Sequence, residues 1–121
     1  MKNPVQWFEI AITDIERAKS FYSRVFNLEF QFIQMPDSKM YMFGDPDGVG
    51  SAGALVQSDN NKPSSEGAIL YFSCEDVEKS AALAEEAGGE ILIPTTDIGE
   101  FGFFAHFIDP EGNRIGLHSN K

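Results

Sequence analysis

Trp7 to Asn27 reads WFEIAITDIERAKSFYSRVFN, and this stretch decides the fold because a second version of it lies 62 residues on: ILYFSCEDVEKSAALAEEAGG, from Ile69 to Gly89. Asp14 falls on Asp76, Ile15 on Val77, Glu16 on Glu78, Arg17 on Lys79 and Phe21 on Leu83. Each copy opens with apolar residues alternating along a strand, passes an acidic residue suited to capping and continues as an amphipathic helix. The 121 residues are close to twice the offset, so one duplicated module fills the chain.

Within the first copy, Phe8, Ile10 and Ile12 share one strand face and Trp7, Glu9 and Ala11 the other, because successive side chains point to opposite sides. The apolar face is the one a helix requires, so the Trp7 face looks elsewhere. Thr13 to Glu16 fits a capping box, with Asp14 an almost equal N-cap. Ile15, Ala18, Phe21, Tyr22, Val25 and Phe26 then form a helical stripe that Asn27 can end in the left-handed conformation. The spacing predicts helices over about 14–26 and 77–87, the second capped by Asp76 and stopped by Gly88-Gly89.

Outward from the first helix, Leu28 to Met35 and Met40 to Phe43 read as strands around Pro36-Asp37-Ser38-Lys39. Asp45-Pro46-Asp47-Gly48 is a turn, and Gly50 to Gln57 a strand of small residues. The polar stretch 58–67 reads as a linker between module 1, about 1–57, and module 2, about 68–121. In module 2, Leu70, Phe72 and Cys74 match the helix-facing side of the first strand, and Ile69, Tyr71 and Ser73 match Trp7, Glu9 and Ala11. Glu90 to Ile93 reads as a strand halted by Pro94, and Thr95 to Gly102 as a loop. Two closing strands, about Phe103 to Ile108 and Arg114 to His118, flank Asp109-Pro110-Glu111-Gly112-Asn113.

Composition narrows the function. Nineteen acidic against nine basic residues give a formal charge of −10, which repels phosphate backbones and argues against nucleic acid or an anionic membrane as partner. No apolar run approaches the ~20 residues that span a bilayer, and no signal peptide is visible, so the expected address is cytoplasmic. Cys74 is the only cysteine, which rules out an intrachain disulfide, and its strand position points to packing. No dinucleotide fingerprint, P-loop or nucleophilic-serine motif is present.

Each half is therefore strand-helix-strand-strand-strand. This α+β duplication, with ITDIERAKSFYSRVF, the Gly88-Gly89 stop and IDPEGNRIGLH, resembles the vicinal oxygen chelate superfamily of glyoxalases, bleomycin- and fosfomycin-resistance proteins and extradiol dioxygenases. The resemblance implies two βαβββ modules curled into an incomplete barrel with a ligand in the concavity. It also implies four metal-ligand positions, two per module, which here hold Trp7, Ala54, Ile69 and Gly116. None of these side chains ligates a divalent ion, so no metal and no cofactor is expected at the family site. Metal-free relatives resemble drug-sequestering proteins with aromatic-lined grooves. Single-domain relatives commonly pair, so a homodimer is expected, covering sheet edges and apolar surface.

The expected ligand-binding residues are Trp7, Glu9, Tyr71, Glu100, Phe101, His106 and His118, with Phe103 and Phe104 nearby as further wall. Aromatic residues in a concave site bind flat organic molecules. Glu9, His106 and His118 are the candidate catalytic groups. They are compatible with an off-pattern two-His-one-carboxylate metal site, with an acid-base group, or with hydrogen-bonded cavity polars. Three functions follow: a metal-free binder of small organic molecules, a lyase or isomerase using Glu9 or a histidine, and a partner-binding module with a vestigial cavity.

Overall fold

The computed structural model describes residues 3–121. Strand β1 (Trp7–Ala11) is followed by helix α1 (Ile15–Phe26) and strands β2 (Gln31–Gln34), β3 (Ser38–Phe43) and β4 (Ala52–Ser58). The pattern repeats as β5 (Leu70–Ser73), α2 (Val77–Glu86), β6 (Glu90–Asp97), β7 (Phe103–Ile108) and β8 (Arg114–Ser119), with a 3-10 turn at Gly99–Phe101. The strands form two four-stranded mixed sheets, ordered β1-β4-β3-β2 and β5-β8-β7-β6. In each, the strand before the helix lies parallel to the last strand, and the other pairs are antiparallel. The fold is α+β with no closed barrel.

Both helices start where an aspartate supplies the missing acceptor. Asp14 accepts from the Arg17 backbone N–H at 3.1 Å, and Asp76 from that of Lys79 at 3.2 Å. Asn27 ends α1 at φ 54°, in the left-handed region that its short polar side chain tolerates. Helix α2 stops in a Schellman motif: Gly89 N–H donates to the Ala84 carbonyl, Gly88 N–H to that of Glu85, and Gly88 takes φ 110°.

Strand parity sorts the side chains as the alternation demands. Ile10 and Ile12 are buried, and Phe8, Leu70, Phe72 and Cys74 pack against the same core. Their alternates Trp7 and Tyr71 stay 37% and 52% exposed. One core serves both halves, because α1 sends aromatic rings into the second sheet. Phe26 stacks on Phe72 with centroids 4.3 Å apart, and Phe21 meets Phe107 at 5.5 Å. Cys74 is half-buried in this arrangement, and burial pushes its thiol up from the ordinary value.

The turn 109–113 fastens the second half to the first. One Asp109 oxygen accepts from the backbone N–H groups of Glu111, Gly112 and Asn113; the other accepts from the buried Tyr22 hydroxyl. Asn113 donates across to the Ala11 carbonyl at 2.7 Å. Glu111 reaches the start of α1, accepting from the Thr13 and Asp14 backbone N–H groups at 2.7 Å each and from the Arg17 guanidinium. Thr13, engaged this way, leaves the N-cap to Asp14.

Sequence and structure part at Pro94, which does not end its strand: β6 runs on to Asp97. The strand is outermost in its sheet, and its register shifts between Ile91 and Ile93 and again before Thr96. At such an edge irregularity no ladder bond is needed from proline's missing N–H. The strand over 28–35 is shorter than its pattern suggests, spanning only Gln31–Gln34, and β3 starts earlier, at Ser38. Among the described residues no helix is long and apolar enough to cross a membrane.

Candidate functional site

Phe107 is fully buried beneath α1, so its neighbours Phe104 and His106 occupy the opposite face of the second sheet. Register completes that face. Tyr71 lies across from Gly116, Ser73 from His118, His106 from Gly116, and Phe104 from His118. A recess of about 470 Å³ opens there, lined by Tyr71, Ser73, Ile98, Phe104 and His118. Its size falls in the range of small-molecule sites.

Beside the recess, three side chains form a chain of hydrogen bonds. Arg114 Nε donates to His106 Nδ1 at 3.0 Å, and His106 Nε2 lies 2.7 Å from the Tyr71 hydroxyl. The His106 residue is 4% exposed. Burial and then the Arg114 charge both lower its pKa, holding the imidazole neutral near pH 7. The His106 ring also meets Tyr71 and Phe104 edge-on, at 5.3 and 5.5 Å between centroids. His118 lies on the other side, its Nε2 2.7 Å from the Phe101 carbonyl.

The expected site residues fall into separate groups. Tyr71 and His106 are in direct contact, and Tyr71 and His118 share the recess. Phe101 supplies its carbonyl while the residue as a whole is 67% exposed, and Glu100 is exposed on the same short turn. Trp7 and Glu9 hold each other, the indole N–H donating to the Glu9 carboxylate at 3.2 Å. Neither lines the Tyr71 recess; Glu9 instead borders a depression with Asn61, Lys62, Glu66 and Arg114. Sequence reasoning passed over Arg114, although it shares strand parity with Gly116 and His118, the signal that could have found it.

At the four positions where the resemblance implies metal ligands, the side chains present do not suit a divalent ion. Trp7, Ala54, Ile69 and Gly116 offer no donor atoms, and a Cβ placed on Gly116 would lie 2.5 Å from the Tyr71 ring. The aromatic ring therefore fills the volume a ligating side chain at 116 would need. Among the described residues no three His, Cys, Asp or Glu side chains converge as a metal site, so Glu9, His106 and His118 do not assemble the off-pattern triad.

Fold and site together define a paired βαβββ domain with an open recess on one sheet. The profile of the Glyoxalase/Bleomycin resistance protein/Dioxygenase superfamily matches residues 5–117, and the chain belongs to that superfamily. It is 32% identical over 113 residues to a glyoxylase-like domain-containing protein of Didymella fabae, covering 90% of this chain and 88% of that protein. It is 28% identical over 118 residues to the anthracycline biosynthesis protein DnrV of Streptomyces peucetius, covering 88% of this chain but only 43% of that protein. Among solved structures, TnmS3, an antibiotic binding protein from Streptomyces sp. CB03234, superposes with a TM-score of 0.72. There the identity is 25%, over 99% of this chain and 98% of that one.

Proposed function

We propose that this protein binds a small, flat organic molecule without a metal, in the recess bordered by Tyr71, Ser73, Ile98, Phe104 and His118. The observation that carries the reading is the filling of the Gly116 position by the Tyr71 ring, which puts an aromatic wall where the resemblance implies a metal ligand. Full-length similarity to an antibiotic binding protein and partial similarity to an anthracycline biosynthesis protein support it. Nothing favours the acid-base alternative to the same degree, since both His106 nitrogens are engaged and Glu9 lies in another depression.

The protein works as a homodimer in this reading, since Val5, Phe32 and Phe101 are each more than half exposed and pairing would cover such apolar surface. Its ligand is met in the cytoplasm. Isothermal titration with an anthracycline and a panel of other planar aromatic antibiotics tests the function. Saturable binding of one ligand per chain, weakened roughly tenfold by Tyr71→Ala through lost aromatic contact, is expected. No binding across the panel, or equal binding by wild type, Tyr71→Ala and Phe104→Ala, would refute it.

A further inference from the structure

The three-residue chain beside the recess has a polarity that donor and acceptor chemistry fixes. A guanidinium only donates, so the 3.0 Å bond from Arg114 Nε requires a bare lone pair on His106 Nδ1. A neutral imidazole carries one proton, which must then sit on Nε2, the atom 2.7 Å from the Tyr71 hydroxyl. His106 Nε2–H is thus the donor and Tyr71 Oη the acceptor. The hydroxyl's own proton is not spent on His106. Among the described residues the hydroxyl bonds only to His106, and Tyr71 stands 52% exposed at the recess.

We propose that Arg114 and His106 act as positioning residues that fix Tyr71 as a hydrogen-bond donor, so that the recess selects ligands presenting a carbonyl oxygen. A ligand offering only a donor at that point would compete with His106 for the lone pairs of Tyr71; a carbonyl meets a free O–H. Burial of the His106 ring reinforces the arrangement, since an imidazolium there would place a second cation beside Arg114. The inference rests on the recess being the ligand site, and it names the class of ligand that site takes.

Two measurements on the full chain test it. Nitrogen-edited NMR of the His106 side chain at pH 7 reads the proton's position with no ligand present. A neutral ring protonated on Nε2 is expected, retained in Arg114→Lys and lost to a tautomer mixture in Arg114→Leu. A ring protonated on Nδ1, or an imidazolium, overturns the proposal whatever the protein binds. The second measurement compares 2-(aminomethyl)anthraquinone with 2-(aminomethyl)anthracene, which share ring size and charge and differ in the carbonyls. Wild type should prefer the quinone roughly two- to twelvefold, the span of one net hydrogen bond, and Tyr71→Phe should abolish that preference. Equal binding of both rings by wild type overturns the proposal while leaving the binding function standing. Failure of both rings to bind counts against the binding function, and the NMR result then decides the polarity alone.

Discussion

Glutamine at position 111 is the sharpest perturbation of the fold. The Glu111 side chain is closed off from solvent, and its carboxylate gathers the Thr13 and Asp14 backbone N–H groups and the Arg17 guanidinium. Burial raises its pKa, but the Arg17 bond and the two backbone donors outweigh that and leave it below the ordinary value of 4.5. Glu111→Gln keeps the shape and one accepting oxygen but removes the charge. Charge-assisted hydrogen bonds contribute about 1.5–3 kcal/mol, and the exposed Arg17 partner argues for the lower half of that range. At roughly 4 °C per kcal/mol for a chain of this size, Tm should fall by about 6–9 °C. Because the folded-state pKa is depressed, the stabilisation is fully present above the unfolded value and is lost as pH falls through the folded one. Urea unfolding of wild type and variant should therefore differ at pH 7, and the difference should shrink as pH falls below 4.5 and on through the lowered folded-state value. Equal midpoints at pH 7, or a difference that persists undiminished in acid, would refute the reasoning.

Gly102→Ala should destabilise by about 2 kcal/mol or more, since φ is 95° and the new Cβ would sit 2.1 Å from the Ser119 carbonyl; a urea midpoint unchanged from wild type is the contrary result. Brief exposure to zinc or nickel followed by dialysis should leave no stoichiometric ion held from β1, β4, β5 and β8, because Trp7, Ala54, Ile69 and Gly116 lack donors. Metal analysis showing one tightly held ion per chain at those strands would overturn the positional reading. Light scattering at micromolar concentration should give twice the 13.4 kDa chain mass, and a mass near 13.4 kDa would refute the homodimer.

The sequence by itself determined the local structure and the family. Alternation along Trp7–Ala11, the caps at Asp14 and Asp76, and the Gly88-Gly89 stop are read out within a turn or two of chain, so each was legible from neighbouring residues. The residue types at Trp7, Ala54, Ile69 and Gly116 were legible too, because side-chain chemistry needs no coordinates. Tertiary structure decided what depends on strand register and on where one half lands against the other. Pro94 stays inside β6 because its strand is outermost and bulged, which no local signal announces. Glu111 looked like one residue of a polar turn until that turn met the start of α1, ninety-eight residues away from Thr13. Tyr71, His106 and Arg114 come from three strands, and only the β5-β8-β7 order brings a phenol, an imidazole and a guanidinium into one line. The same geometry set Trp7 and Glu9 apart from the Tyr71 recess. Parity fixes which face of a strand a side chain takes; only packing of the two sheets fixes what it meets there.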